Sequence, residues 1–326
     1  MELNGTKVLV LGGAGFIGSN VVEELTKENV REIVVYDNFT RGSMANLKEA
    51  LTDQRVKIYE LGGDVLHEDI LNEAMKGVDY VFHLAALWLL HCQEYPRAAF
   101  KVNIEGTFNV IEACVRNKIK RLVYSSSASV YGDALEIPMH ESHPFNNKTF
   151  YGATKIAGEQ MCRAFFHRYG IDYVGLRYMN VYGPRQDYRG AYIAVILRWL
   201  EMIDQNKPLV LYGDGSQTYD FIYVRDAARA NIAALKHGKP DNFYNIGSGN
   251  GTSLKELAQI LLKVTNSSDL GIRYEPQGVS YVTNRIGSSQ KAAEELLFNT
   301  EVSLEDGLGS LIKWRKQDKD KPAQLK

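Results

Sequence analysis

Tyr151 and Lys155 carry the spacing of a proton-transfer site. They stand four positions apart at the start of a periodic stretch, 151–169, that predicts a helix. Residues i and i+4 share a helix face, so the phenol and the ammonium can point into one cleft. A tyrosine near its ordinary pKa of about 10 is a poor base at neutral pH. A neighbouring ammonium, together with a cationic cofactor ring, would favour the phenolate and bring that value down. Just upstream, Ser125-Ser126-Ser127-Ala128-Ser129-Val130-Tyr131-Gly132 follows a predicted strand. A serine hydroxyl there can hold a substrate oxygen in line. Tyr-x-x-x-Lys alone is a common spacing on solvated helices, and it gains meaning from what precedes it.

What precedes it is Gly12-Gly13-Ala14-Gly15-Phe16-Ile17-Gly18, which closes an apolar run and opens a helical pattern. Gly12 allows the tight turn, Gly15 lets the backbone approach a pyrophosphate, and Gly18 lets the helix pack closely on the sheet. The helix N-terminus then offers free N–H groups and the positive end of its dipole to phosphates. Asp37 ends the next strand, nineteen positions after Gly18. A carboxylate there can accept both ribose hydroxyls of an adenosine and would repel a 2′-phosphate, which favours NAD over NADP. Arg41 nearby would suit NADP instead. Asp64 and Val65, after the third strand, could hold the adenine edge.

The elements that must position these groups alternate. Short apolar runs predict buried strands at 7–11, 33–36, 56–61, 80–83 and 121–124, with helices between them, notably 16–27 and 96–117. The alternation predicts an α/β fold, a doubly wound parallel sheet of the Rossmann type. A sixth strand is expected at 172–177. Beyond it, 180–190 reads as a long loop and 192–205 as a helix. A strand at 209–212 is closed by Gly213-Asp214-Gly215, and helices are expected at 224–236, 253–265 and 288–297. We expect residues 1–180 to form the dinucleotide-binding domain, with segments near 217–246 returning to it. Residues 181–326 would form a smaller, interleaved α+β lobe for the substrate.

Bulk properties narrow the partners. A net charge of −1 leaves no electrostatic case for nucleic acid or an anionic membrane surface. No apolar stretch is long enough to span a bilayer, and Met1-Glu2-Leu3-Asn4-Gly5 runs into the first strand without a signal-peptide pattern. Cys92, Cys114 and Cys162 lack any Cys-x-x-Cys spacing, so reduced thiols in a cytoplasmic protein and no metal site are expected.

Taken together, the chain resembles the extended short-chain dehydrogenase/reductase family, and within it the nucleotide-sugar epimerases and dehydratases. The resemblance covers nearly the whole chain. It rests on the glycine loop, Tyr36-Asp37-Asn38, Gly63-Asp64-Val65, His83-Leu84-Ala85-Ala86, Ser125 to Gly132, and Tyr151 with Lys155. It continues through Leu176-Arg177-Tyr178-Met179-Asn180-Val181-Tyr182-Gly183-Pro184, Gly213-Asp214-Gly215, the stretch from Asp220 to Asp226, and Tyr244-Asn245-Ile246-Gly247. The resemblance implies that Ser127, Tyr151 and Lys155 are the catalytic three. It implies that Phe16, Ile17, Asp37, Asn38, Asp64, Val65, Ala85 and Asn103 line an NAD site and that Asn180 touches a nucleotide diphosphate. It also implies a homodimer through a four-helix bundle built from 96–117 and 151–169.

The same resemblance discriminates among reactions. Dehydratases of the family carry an Asp-Glu pair after the catalytic serine, and decarboxylases a glutamate at the second position. This chain has Ala128 and Ser129, which cannot do acid–base work. The pattern looks most like the UDP-hexose 4-epimerases, so a UDP-sugar is the favoured substrate. Other chemistry on the same fold stays open: a keto-sugar reductase, a 3,5-type epimerase, or a dehydrogenase of a non-nucleotide substrate. A non-enzymatic NAD-binding sensor would not need the Ser127, Tyr151 and Lys155 set.

The chain departs from the family at its substrate anchors. Trp88 follows the His-Leu-Ala-Ala segment, where it reads equally as a core aromatic or a pocket wall. Tyr219 stands where many relatives have an arginine for the diphosphate. Gln277-Gly278-Val279-Ser280-Tyr281 replaces their later Arg-x-Gly-Asp stretch. Without those arginines a phosphate pair loses its strong bidentate bonds. Arg285, Arg185, Arg189 and Tyr192 are the candidates to replace them, and Tyr212 could stack on a base. Arg285 reads equally as a surface residue, a reader of the diphosphate, or a reader of a sugar carboxylate.

Overall fold

Val8, Leu9, Val10 and Leu11 are all fully buried, so the strand Lys7–Leu11 must be covered on both faces. The computed structural model, which describes residues 1–188, 194–276 and 283–319, shows how. Alternate side chains point to opposite faces. Val8 and Val10 join one core with Ile33, Val35, Phe82 and Val123. Leu9 and Leu11 join a second with Val34, Tyr36, Val81 and Leu122. Helices Phe16–Thr26 and Val224–His237 pack on the first face and on each other, while Gly106–Arg116 and Phe150–Tyr169 cover the second.

All seven strands of this sheet run parallel, in the order Asn242–Ile246, Tyr173–Tyr178, Arg121–Ser127, Tyr80–His83, Lys7–Leu11, Glu32–Tyr36, Val56–Ile58. The chain winds outward one way from Lys7–Leu11, then crosses back and winds the other way from Tyr80–His83. A crevice opens at such a switch point, beyond the carboxyl ends of the two central strands. The Rossmann arrangement expected from the alternation is therefore present. The remaining strands form a separate layer. Thr218–Tyr223 is its hub, pairing with Asn180–Tyr182, Gly251–Ser253 and Asn284–Arg285. Leu209–Tyr212 pairs with Ile272–Glu275, and a third core containing Trp199, Leu211 and Leu257 lies beneath.

Several local expectations change. The third strand stops at Ile58, and residues 180–190 are not simply a loop, because Asn180–Tyr182 pairs with Thr218–Tyr223. Three residues are too few to show alternation in sequence. The helix expected at 96–117 is three pieces in line: Pro96–Ala99, a π-helical turn Phe100–Glu105, and Gly106–Arg116. That at 192–205 is described as Val195–Asp204. Within 217–246, Thr218–Tyr223 belongs to the smaller layer, Val224–His237 packs on the large sheet, and Asn242–Ile246 joins that sheet.

The helix Phe150–Tyr169 is set down firmly. Thr149 accepts a hydrogen bond from Gly152 N at its start, and Gly170 ends it with φ 71°. Gly158 lets it approach the sheet, since a Cβ there would lie 2.0 Å from the Tyr124 hydroxyl. No helix among the described residues is long and apolar enough to cross a membrane.

Candidate active site

The crevice at the switch point is a cleft of about 590 Å³. Its walls include Gly12, Gly15, Phe16, Ile17, Gly18, Asp37, Asn38, Asp64, Val65, Ala85, Trp88, Tyr151, Lys155 and Arg185, all singled out in the sequence. Gly12 takes φ +77°, and a Cβ there would lie 2.7 Å from Ala85 N. At Gly18 a Cβ would strike the Gly12 carbonyl at 2.0 Å. The loop therefore admits no side chain at either place. The helix it opens has no side-chain cap and no acidic residue in its first turn, which leaves its N–H groups available to an anion.

One end of the cleft suits an adenosine. The Asp37 carboxylate accepts from Ala14 N at 2.9 Å and Phe39 N at 2.8 Å, and burial raises its pKa above the usual aspartate value against those bonds. Asn38 donates to the Asp64 carboxylate at 3.3 Å. The donor loop, the uncapped helix and this carboxylate end fit an adenine dinucleotide.

The other end holds the proton-transfer groups. Lys155 donates to the Ser125 carbonyl at 2.7 Å and lies 5.8 Å from the centroid of the Tyr151 ring. The Ser127 hydroxyl acts on the Tyr151 phenol to lower its pKa, and it accepts from Ser129 N at 3.1 Å. Burial pushes Tyr151 up to about 12, against the Ser127 bond and the charge of Arg285. Lys155 is itself pushed down to about 8 by burial. Desolvation, invisible in a sequence, is the larger effect here.

Asn103 is buried. Its amide takes both backbone groups of Leu87, accepting from the N–H at 2.7 Å and donating to the carbonyl at 2.9 Å. It thereby fixes the segment carrying Ala85 and Trp88, from a π-helical turn of the kind that often marks functional sites. Trp88 is a wall of the cleft, with the Arg41 guanidinium 4.9 Å from its ring centroid. Arg41 also pairs with Asp187 at 3.2 Å, so three loops meet over the cleft.

The substrate candidates divide. Arg185 lines the cleft, but its guanidinium is committed to Glu23 at 2.6 Å. Asn180 donates to the Asp220 carbonyl at 3.1 Å from its short strand. Tyr212 stands exposed at the end of Leu209–Tyr212. Tyr219 and Arg285 sit side by side in parallel register. Tyr192, Arg189 and the stretch 277–281 lie outside the described residues. The sequence reading missed Tyr178, a wall residue whose hydroxyl bridges Ser125 at 3.3 Å and Asn231 at 2.9 Å. Nothing local marks Asn231, which lies within the helix Val224–His237. Among the described residues no group of histidines, cysteines and carboxylates could hold a metal ion.

The geometry agrees with what the chain is similar to. The model of the NAD dependent epimerase/dehydratase family matches residues 8–247. The structure of UDP-N-acetylglucosamine 4-epimerase from Methanobrevibacter ruminantium, in complex with UDP-N-acetylmuramic acid, superposes with a TM-score of 0.90 at 32% identity, covering 97% of this chain and 99% of that one. UDP-glucose 4-epimerase from Thermotoga maritima, with UDP-glucose, gives a TM-score of 0.88 at 31% identity over 96% and 100%. UDP-N-acetyl-alpha-D-glucosaminuronate decarboxylase of Bacillus cytotoxicus is 33% identical over 324 residues, 94% of this chain and 97% of its own. Epimerases and a decarboxylase thus share this fold at similar distance, and the chain belongs with them to the family of NAD-dependent nucleotide-sugar epimerases and dehydratases.

Proposed function

We propose that the protein is an NAD-dependent 4-epimerase of a nucleotide sugar, with UDP the favoured nucleotide. The observation that carries this reading is the distribution of carboxylates around the cleft. Asp37 and Asp64 stand at the adenosine end and Asp187 is paired with Arg41, whereas Ala128 and Ser129 occupy the turn beyond Ser127 and are buried. Glu159, the carboxylate on the helix behind Lys155, is fully buried and paired with Arg177 at 2.7 Å. Among the described residues, no wall residue at the Tyr151 end is a carboxylate able to expel a hydroxyl or exchange a proton at the next carbon.

When bound, NAD supplies the hydride acceptor and donor at the sugar C4, and a positive charge that favours the Tyr151 phenolate. The chain does the rest. Tyr151 takes the proton of the 4-hydroxyl and returns it after the 4-keto sugar has turned over. Ser127, whose hydroxyl favours the phenolate, holds the reacting oxygen in line. Lys155, anchored on Ser125, keeps a cation at this end of the cleft. The glycine loop, Asp37, Asn38, Asp64 and Val65 hold the dinucleotide, and Asn103 positions the Leu87 segment beside it. The test is interconversion of C4 epimers in a panel of UDP-sugars without net reduction of NAD. Net consumption of reduced cofactor would make it a reductase instead.

We further propose a homodimer through the helices at 96–116 and 150–169. Phe100 and Phe108 are 45% and 41% exposed there, and Phe108 meets Phe165 edge-on at 5.5 Å. Exposed aromatics on adjoining helices favour a protein partner. Light scattering at micromolar concentration should give twice the chain mass.

A further inference from the structure

Asn231 is a polar side chain on a face made of alanines. The helix Val224–His237 buries Ala227, Ala228, Ala230, Ile232, Ala234 and Leu235, and Asn231 is fully buried among them. Asparagine inside a helix competes with the backbone for hydrogen bonds, so its place there needs a reason. Half of its amide stays within the helix: Nδ2 donates to the Ala227 carbonyl at 2.8 Å, one turn back. The other half leaves it. Oδ1 accepts from the Tyr178 hydroxyl at 2.9 Å. The Ala227 bond sets which way round the amide sits, so an acceptor faces the phenol.

Tyr178 stands where that bond matters. It is the last residue of Tyr173–Tyr178, level with Ser127 on the adjoining strand, and it lines the cleft with Ser125, Tyr151 and Lys155. Its one hydroxyl hydrogen goes to Asn231, so the second bond, 3.3 Å to the Ser125 hydroxyl, is donated by the serine. The Ser125 carbonyl in turn holds the Lys155 ammonium at 2.7 Å. Asn231, Tyr178 and Ser125 are all buried. A buried polar chain whose members satisfy one another admits one arrangement and stiffens the wall that carries it. Its outer end lies on a helix that follows directly on Thr218–Tyr223, the hub of the smaller layer.

We propose that Asn231 is a positioning residue for hydride transfer: through the Tyr178 hydroxyl and Ser125 it holds the cleft wall beside Tyr151 and the carbonyl that anchors Lys155. The inference rests on the epimerase reading and adds to it a residue outside the walls of the cleft. Proton and hydride leave the same carbon, so the redox ring of NAD must come to the end of the cleft where Tyr151 stands. Returning the hydride to the other face of the sugar requires that end to keep its shape while the sugar turns. Without Asn231 the Tyr178 phenol keeps only the serine, and the wall loses its fixed place. A misplacement of about 1 Å costs on the order of 100-fold in rate.

The experiment compares wild type, Asn231→Leu, Tyr178→Phe and the double variant, each loaded with NAD and counted by its cofactor absorbance. With pairs of UDP-sugar C4 epimers, each single variant should lower kcat per loaded site by about 10- to 100-fold and leave the sugar KM within about 3-fold. The double variant should be no slower than the slower single, because both substitutions cut one link. A second readout needs no sugar: bound NADH should have a shorter fluorescence lifetime in all three variants, because its ring gains motion. A wild-type kcat per loaded site, with fewer sites loaded, overturns the proposal and makes Asn231 a residue of the fold alone. Losses that multiply in the double variant, or an unchanged lifetime in all three, overturn it too. If Asn231→Leu does not fold, Asn231→Ala takes its place in the same cycle. A shortened lifetime in a protein that epimerises no sugar would retire the epimerase reading and leave the hold of Asn231 on the cofactor end standing.

Discussion

Lys155 lies 5.8 Å from the Tyr151 ring centroid and spends its hydrogen bond on the Ser125 carbonyl at 2.7 Å, so it stands beside the tyrosine without a hydrogen bond to the phenol. The phenol instead meets Ser127. Replacing Tyr151 by Phe removes the proton-transfer group while sparing the glycine loop and Asp37. Turnover should fall by about 100- to 10,000-fold, the range for loss of a general base, while purified protein keeps its NAD absorbance. An active Tyr151→Phe protein would sink the assignment.

The buried lysine makes stability depend on pH. Burial lowers Lys155 from the ordinary 10.5 to about 8 in the cofactor-free fold. Between those values the unfolded chain binds more protons than the folded one, so this group's contribution rises with pH from about 8 to 10.5. The gain attached to it is about 3 kcal/mol at most. Denaturant unfolding of NAD-free protein across that window should show the rise, and Lys155→Met should flatten it. An equal slope in both proteins would contradict the account.

Asp37 should control cofactor choice. Its carboxylate is in place at the end of Glu32–Tyr36 and is held by Ala14 N and Phe39 N. Asp37→Ala should weaken NAD by about 10-fold or more, and NADP by less, because the repulsion of a 2′-phosphate goes with the carboxylate. Titration with the two dinucleotides measures the ratio. An unchanged preference for NAD would contradict the role.

Asn103 and Arg41 act on the walls. Asn103→Ala strips both hydrogen bonds from the half-buried Leu87 backbone, at a cost of about 1–3 kcal/mol for each group left unpaired. Thermal unfolding should register that loss, with NAD affinity falling alongside. Arg41→Ala removes the contacts to Trp88 and Asp187 over the cleft and should speed NAD release by about 2- to 5-fold, measured by gel filtration of the loaded protein. Release at the wild-type rate would show that these contacts do not retain the cofactor.

Sequence carried the parts of the site whose chemistry fixes a local spacing. A pyrophosphate needs three glycines between a strand and a helix, and Tyr151 with Lys155 needs one helix face. It could not carry relations that exist only after folding. Asn231 reaches Tyr178, and Arg41 reaches Trp88, from segments far apart in the chain. The hydrogen bonds by which Asn103 holds the Leu87 backbone likewise appear only in the fold. The burial that raises Tyr151 is of the same kind: a neighbouring ammonium is visible in a spacing, whereas loss of water is not. The short strand Asn180–Tyr182 needed its partner Thr218–Tyr223 to exist at all.

The central claim is that hydride leaves and returns to one carbon with no loss of atoms. Incubating the NAD-loaded protein with UDP-sugars deuterated at C4, in ordinary water, tests it most directly. The account predicts a C4 epimer of unchanged mass with the deuterium still at C4 and the cofactor still oxidised. A product lighter by water or carbon dioxide, or one with the label lost from C4, would contradict it.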